Sequence, residues 1–222
     1  MFSKVLLAED LDSINVAVSI ALDELNIVDK EYVKYCDDAF LKIKRALQEN
    51  NPYELLITDL SFKEDYRPNQ LNSGEELIAA IREIQPSIKI IVFSVEEKPI
   101  RIKSLFENLN INAFILKGRD SLPELKKAIK NVFENDSKHI APNLSYIFKD
   151  KTVNEIDDYD IQLILQLSYG VSQDKMDIKF KDLGIEPNSK STIEKRIGKL
   201  KDYFKATNTV HLIAIAKDLG LI

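Results

Sequence analysis

The sequence predicts an α/β protein: a doubly wound, five-stranded parallel sheet followed by a small all-α domain. Two observations carry this. Near-continuous apolar runs alternate with helix-period segments over the first 134 residues, whereas only helical periodicity follows residue 155. A connector over 135–154 separates the two regimes.

The strands come first. Lys4–Ala8, Glu54–Thr58, Lys89–Phe93 and Ala113–Leu116 are compact and apolar, as strands buried on both faces must be. Ile27–Tyr35 alternates more and reads as a weaker second strand. Between them Ser13–Leu25, Asp38–Glu49, Gly74–Ile84, Ile100–Asn108 and Leu122–Phe133 show helical spacing, with Asp12 expected to cap the first. Right-handed crossovers join such units, and ligands then bind at the carboxyl ends of the strands. After the connector, Asp157–Ser168, a polar segment around Gln173–Leu183, Ser189–Tyr203 and Thr209–Leu219 read as helices, with Ser189 or Ser191 capping the third.

Composition narrows the function classes. The chain has 222 residues, 45% hydrophobic and 30% charged, and its apolar runs are too short to span a bilayer, so no membrane partner is expected. The opening apolar stretch meets Glu9 and Asp10 at once, which suits a strand and not a signal peptide. Cys36 is the sole cysteine, arguing against disulfides and for a reducing cytoplasm, and His139 with His211 is too few ligands for zinc. The net charge of −5 lies in residues 1–135, while residues 136–222 carry 13 acids and 13 bases. Nucleic-acid binding would therefore rest on a local patch.

Chemistry concentrates at the strand tips. Glu9 and Asp10 end the first strand, Asp59 the third, Ser94 the fourth and Lys117 the fifth. Neighbouring tips converge, and crowded carboxylates repel unless a cation joins them. Magnesium suits hard oxygen ligands and leaves coordination positions for a phosphoryl oxygen.

Ala-Glu-Asp-Leu-Asp at 8–12, Ile-Thr-Asp-Leu-Ser at 57–61, Val-Phe-Ser at 92–94 and Phe-Ile-Leu-Lys-Gly at 114–118 together resemble the receiver domain of two-component response regulators. The resemblance covers about 1–133. It implies that Asp59 accepts a phosphoryl group from a sensor histidine kinase and that Mg²⁺ is held by Glu9, Asp10, Asp59 and the Ser61 backbone carbonyl. Ser94 and Lys117 would contact the phosphoryl group, and Phe114 would occupy the aromatic switch position. It further implies a regulator and not an enzyme; Ser61 stands where an aspartyl phosphatase would place a second, acid–base aspartate.

Two departures lie beside Asp59. The stretch from Ser61 to Gly74 is several residues longer than usual, and Val95 stands where the family often has a smaller residue, which would narrow access to Asp59.

Residues 156–222 resemble the LuxR-type (NarL-type) helix-turn-helix output domain, through Ile164–Ser172, Ser191-Thr-Ile and Lys205–Ile222. Ile193, Ile197, Leu200 and Phe204 form an apolar stripe, and Lys190, Lys195, Arg196, Lys199 and Lys201 crowd the same helix with only Glu194 among them. The resemblance implies binding to duplex DNA as a homodimer on activation. Lys190, Thr192, Glu194, Lys195, Arg196 and Lys199 are the contact candidates, and the last helix is the dimer surface. About five extra residues between Gly170 and Thr192, and a polar scaffold helix, leave a second reading open: a phosphorylation-controlled adaptor whose helical domain binds protein.

Overall fold

The structure is a computed structural model that describes residues 1–63, 69–135, 138–141 and 156–222. Contacts divide the chain into two compact units, one (Met1–Glu97 and Ile102–Ser145) holding the sheet and the other (Lys98–Arg101 and Tyr146–Ile222) holding the C-terminal helices.

In the first unit, β1 (Lys4–Ala8), β2 (Asp29–Val33), β3 (Leu55–Thr58), β4 (Lys89–Ser94) and β5 (Ala113–Leu116) alternate with α1 (Asp12–Glu24), α2 (Cys36–Gln48), α3 (Gly74–Ile84), α4 (Pro99–Asn108) and α5 (Ser121–Asn135). All pairings are parallel, in the order β2-β1-β3-β4-β5-β6. The sixth strand, β6 (His139–Ile140), departs from the expected five and lies in the stretch read as connector. Its two half-buried residues carry no apolar run for a sequence reading to detect. Residues 136–137 and 142–154 of the connector lie outside the described residues.

Alternation along the strands fixes both faces of the sheet. Val5, Leu7, Leu55, Ile57, Ile91, Phe93, Ala113 and Ile115 form one core with Val18 and Leu22 of α1 and Leu125, Ala128 and Ile129 of α5. Their neighbours Leu6, Leu56, Ile90, Val92 and Phe114 are equally buried and point the other way. Burial of both faces explains why these strands read as continuous apolar runs.

Asp12 does not cap α1. Leu11 holds the cap position without a side-chain bond, and Asp12 lies in the first turn, paired with Lys34 at 2.7 Å. The expected cap fails because the Asp12 carboxylate has a cation on the neighbouring strand end.

The second unit holds α6 (Asp158–Ser168), a 3₁₀ turn (Gln173–Lys175), α7 (Met176–Asp182), α8 (Lys190–Tyr203) and α9 (Thr209–Asp218). Leu163, Ile164, Leu167, Met176, Phe180, Ile193, Ile197, Leu200, Leu212 and Ala216 make its core. The polar α7 stays attached through Met176 and Phe180, one helical turn apart, with Phe180 edge-on to Tyr159 at 5.3 Å. Among the described residues no helix is long and apolar enough to cross a membrane.

Candidate functional site: an acid pocket at the strand tips

Parallel pairing brings the ends of β1, β3, β4 and β5 together. The Glu9 amide donates to the Val33 carbonyl at 3.0 Å and the Asp59 amide to the Ala8 carbonyl at 3.1 Å, so both acids continue the ladder. Ligand oxygens of Glu9, Asp10 and Asp59 lie within 4.8 Å of one another. Lys117 enters from β5 and places Nζ 2.6 Å from Glu9 Oε2 and 2.6 Å from Asp59 Oδ2. Its backbone amide donates to the Ser94 carbonyl at 2.8 Å. Ser94 is fully buried, and among the described residues its Oγ has no hydrogen-bond partner. Phe114 is fully buried on β5, the strand that Lys117 directly follows.

The electrostatics follow. Burial pushes the Glu9 carboxyl above its usual range; Lys117 pulls the other way, and the Asp59 charge adds to the rise. One ammonium faces three carboxylates in a desolvated pocket, so the site retains an excess of negative charge and hard oxygen donors. That donor set fits a small divalent cation, with Glu9, Asp10 and Asp59 as its side-chain ligands.

Several supporting residues escaped the sequence reading. Asn15 in α1 donates through Nδ2 to the Glu9 carbonyl at 2.9 Å and is 5% exposed. A polar residue at a buried helical spacing was the available signal. Thr58 Oγ1 donates to the Asp59 carbonyl at 2.8 Å, and the Leu60 amide donates to Asp59 Oδ1 at 2.6 Å. Gly74 opens α3 against this loop: a Cβ there would lie 1.9 Å from the Asp59 carbonyl oxygen. Only glycine permits that approach.

The long stretch after Asp59 is held at both described ends. The Lys63 amide donates to Asp10 Oδ2 at 3.0 Å, Ser61 bridges Ser73, and the Gln70 and Leu71 amides donate to the Asp37 carboxylate at 3.0 Å each. Residues 64–68 lie outside the described residues. Val95 is 64% exposed just beyond Ser94.

In the second unit α8 starts at Ser189, whose hydroxyl accepts from the Thr192 amide at 3.3 Å and lies 2.7 Å from the Thr192 hydroxyl. Of the two expected caps, Ser189 is the one used. Lys195, Lys199 and Glu194 are exposed. Lys190 pairs with Asp174 at 2.9 Å. Arg196, another contact candidate, is half-buried. Its Nε lies 2.5 Å from Asp160 Oδ1 and its Nη2 2.6 Å from Asp157 Oδ2, binding α8 to the capping box that starts α6. A guanidinium with two carboxylates in reach forms this fork in preference to facing water.

An acid pocket at the tips of a doubly wound parallel sheet is thus followed in the chain by a small helical unit. Neither a protein-family model nor a curated protein matches the chain. Solved structures do. A structure of two RcsB dimers bound to two parallel DNAs is similar at 18% identity, TM-score 0.66, covering 98% of both chains. RcsB from Salmonella enterica serovar Typhimurium, bound to promoter rprA with the phosphomimetic BeF₃⁻, is similar at 20% identity, TM-score 0.62, covering 95% of this chain and 96% of that one. The isolated receiver domain of RcsB from the same organism, with BeF₃⁻, is 23% identical, TM-score 0.52, over 65% of this chain and 97% of that one. These likenesses establish the fold of both units.

Proposed function

We propose that the protein is a cytoplasmic response regulator, phosphorylated on Asp59 by a sensor histidine kinase and acting on duplex DNA as a dimer. The observation that carries this reading is the meeting of Glu9, Asp10, Asp59 and Lys117 at one pocket, with Ser94 at the neighbouring end of β4.

The reaction asks the protein for position and charge. An Asp59 carboxylate oxygen forms a bond to phosphorus as the donor's P–N bond breaks and its imidazole departs; nothing is oxidised. Leu60 holds Asp59 Oδ1 through its amide, leaving Oδ2, beside Lys117, as the oxygen that attacks. Lys117 then balances charge on the phosphoryl oxygens, and Ser94 Oγ, buried at the end of β4 and without a partner among the described residues, donates to one of them. Glu9, Asp10, Asp59 and the Ser61 carbonyl would hold Mg²⁺, which supplies neutralisation of the phosphoryl charge. Phe114, buried on β5, is the side chain whose packing would register the change.

For the output, Lys195 and Lys199 are exposed cations on α8, joined by Lys190 once it leaves Asp174, with Thr192 and Glu194 at the start of the helix. Arg196 fixes the helix through Asp157 and Asp160 and reaches DNA only by leaving those partners. That engagement of one cation favours keeping the adaptor reading, in which these helices bind a protein.

The test treats the full chain with beryllofluoride and magnesium and measures retention of duplex genomic fragments over a salt series. A regulator gains affinity on treatment and loses it steeply as salt rises, and Asp59→Asn removes the response. Binding that is absent, or insensitive to salt, turns the reading to the adaptor.

A further inference from the structure

We propose that β6 is a catch: the segment leaving the first unit is clipped to the edge of β5 in the resting protein and is released when Asp59 is phosphorylated. The inference rests on the phospho-acceptor reading above and adds how its signal leaves the unit.

Four contacts hold the catch. The ladder pairs Ala113 with His139 and Phe114 with Ile140. The His139 amide donates to the Asn112 carbonyl at 2.7 Å. Lys138 reaches across with Nζ to donate to the Phe106 carbonyl, at 2.7 Å, on α4. The Asn131 amide of α5 lies 2.9 Å from His139 Nδ1, and Ala141 closes the segment at 2% exposure. The segment is thus tied to α4, β5 and α5 together.

The same strand begins at the catch and ends at the pocket. Phe114 faces Val92 on one side and Ile140 on the other, and three residues later Lys117 bridges Glu9 and Asp59. A phosphoryl group on Asp59 draws Lys117 and offers Ser94 Oγ an acceptor. Ser94 pairs with Leu116, so both demands fall on the β4–β5 pair. Elsewhere in the sheet, pairings of four and five residues resist such a displacement. β6 has two residues and, among the described residues, no neighbour beyond it in the sheet, so it is the pairing that yields. Release frees the segment that leaves the sheet without altering the fold of the first unit.

Hydrogen exchange on the full-length chain, with and without beryllofluoride and magnesium, tests this, with ¹⁹F NMR reporting bound fluoride. The account expects the 138–141 amides to exchange at least about fivefold faster in the bound form, the scale of one net hydrogen bond. Lys138→Met, and separately His139→Pro, should exchange fast without any ligand while still binding the fluoride. Unchanged or increased protection of 138–141 in protein that shows bound fluoride overturns the catch and leaves the phospho-acceptor reading standing. A chain that binds no fluoride removes that reading, and the catch with it.

Discussion

Lys117 Nζ lies 2.6 Å from Asp59 Oδ2 and equally close to Glu9 Oε2, so one ammonium from the fifth strand holds together carboxylates from the first and third. The side chains of all three are less than one-tenth exposed. In so dry a pocket the pair matters in two ways, to folding and to the charge on any phosphoryl group.

Lys117→Met should therefore lose more than reactivity. Removing one partner of a buried ion pair leaves uncompensated charge, at a cost of about 3 kcal/mol. Urea unfolding should show that loss, and divalent magnesium should restore more stability to the variant than to the parent. Equal magnesium responses would mean that the acids do not share a cation.

Gly74→Ala tests the close packing behind Asp59. The added Cβ meets the Asp59 carbonyl oxygen at 1.9 Å, and backbone on both sides resists movement. A loss of about 3 kcal/mol is expected, with a displaced Asp59 loop, against the small gain that glycine-to-alanine gives at an open helix start. A neutral or stabilised variant in thermal unfolding would refute the contact.

Cys36 opens α2 at 2% exposure. Burial, reinforced by the Asp37 charge, pushes its thiol up to about 12. Its thiolate is scarce near neutral pH, so alkylation should proceed only through opening of the first unit. The labelling rate should rise with denaturant in step with unfolding, and fast labelling of the native protein would contradict the packing.

The Arg196 fork predicts an acid transition in the second unit. Burial pushes Asp157 up, but the Asp160 amide and Arg196 outweigh it and hold the carboxyl below the ordinary value of 3.8. A depressed carboxylate stabilises the fold fully above its unfolded pKa, and that stabilisation is lost as pH falls through the lower, folded value. The thermal midpoint of the second unit should fall between about pH 5 and pH 2, more gently in Arg196→Met, which starts lower at neutral pH. Parallel curves for the two proteins would show that the fork carries no stability.

Much of the architecture was legible because burial on both faces leaves a mark in sequence. Leu55–Thr58 and Lys89–Ser94 are apolar at nearly every position, and acids at their ends could only point at one pocket. β6 left no mark, because two half-buried residues owe their strand geometry to the β5 edge and not to their own pattern. The pairings of Asp12 and Arg196 are illegible in sequence for a shared reason. Neither residue's own segment holds its partner; Lys34, or the Asp157–Asp160 pair, is brought close only by the tertiary fold. The position of Asn15 under Glu9 was hidden in the same way.

The most direct measurement of the central claim incubates the chain with magnesium and a small-molecule phosphodonor, then maps the adduct by mass spectrometry. The account predicts one phosphoryl group, acid-stable but lost at alkaline pH, on the peptide containing Asp59, dependent on magnesium and absent from Asp59→Asn. An unmodified chain, or equal labelling of Asp59→Asn, would contradict it.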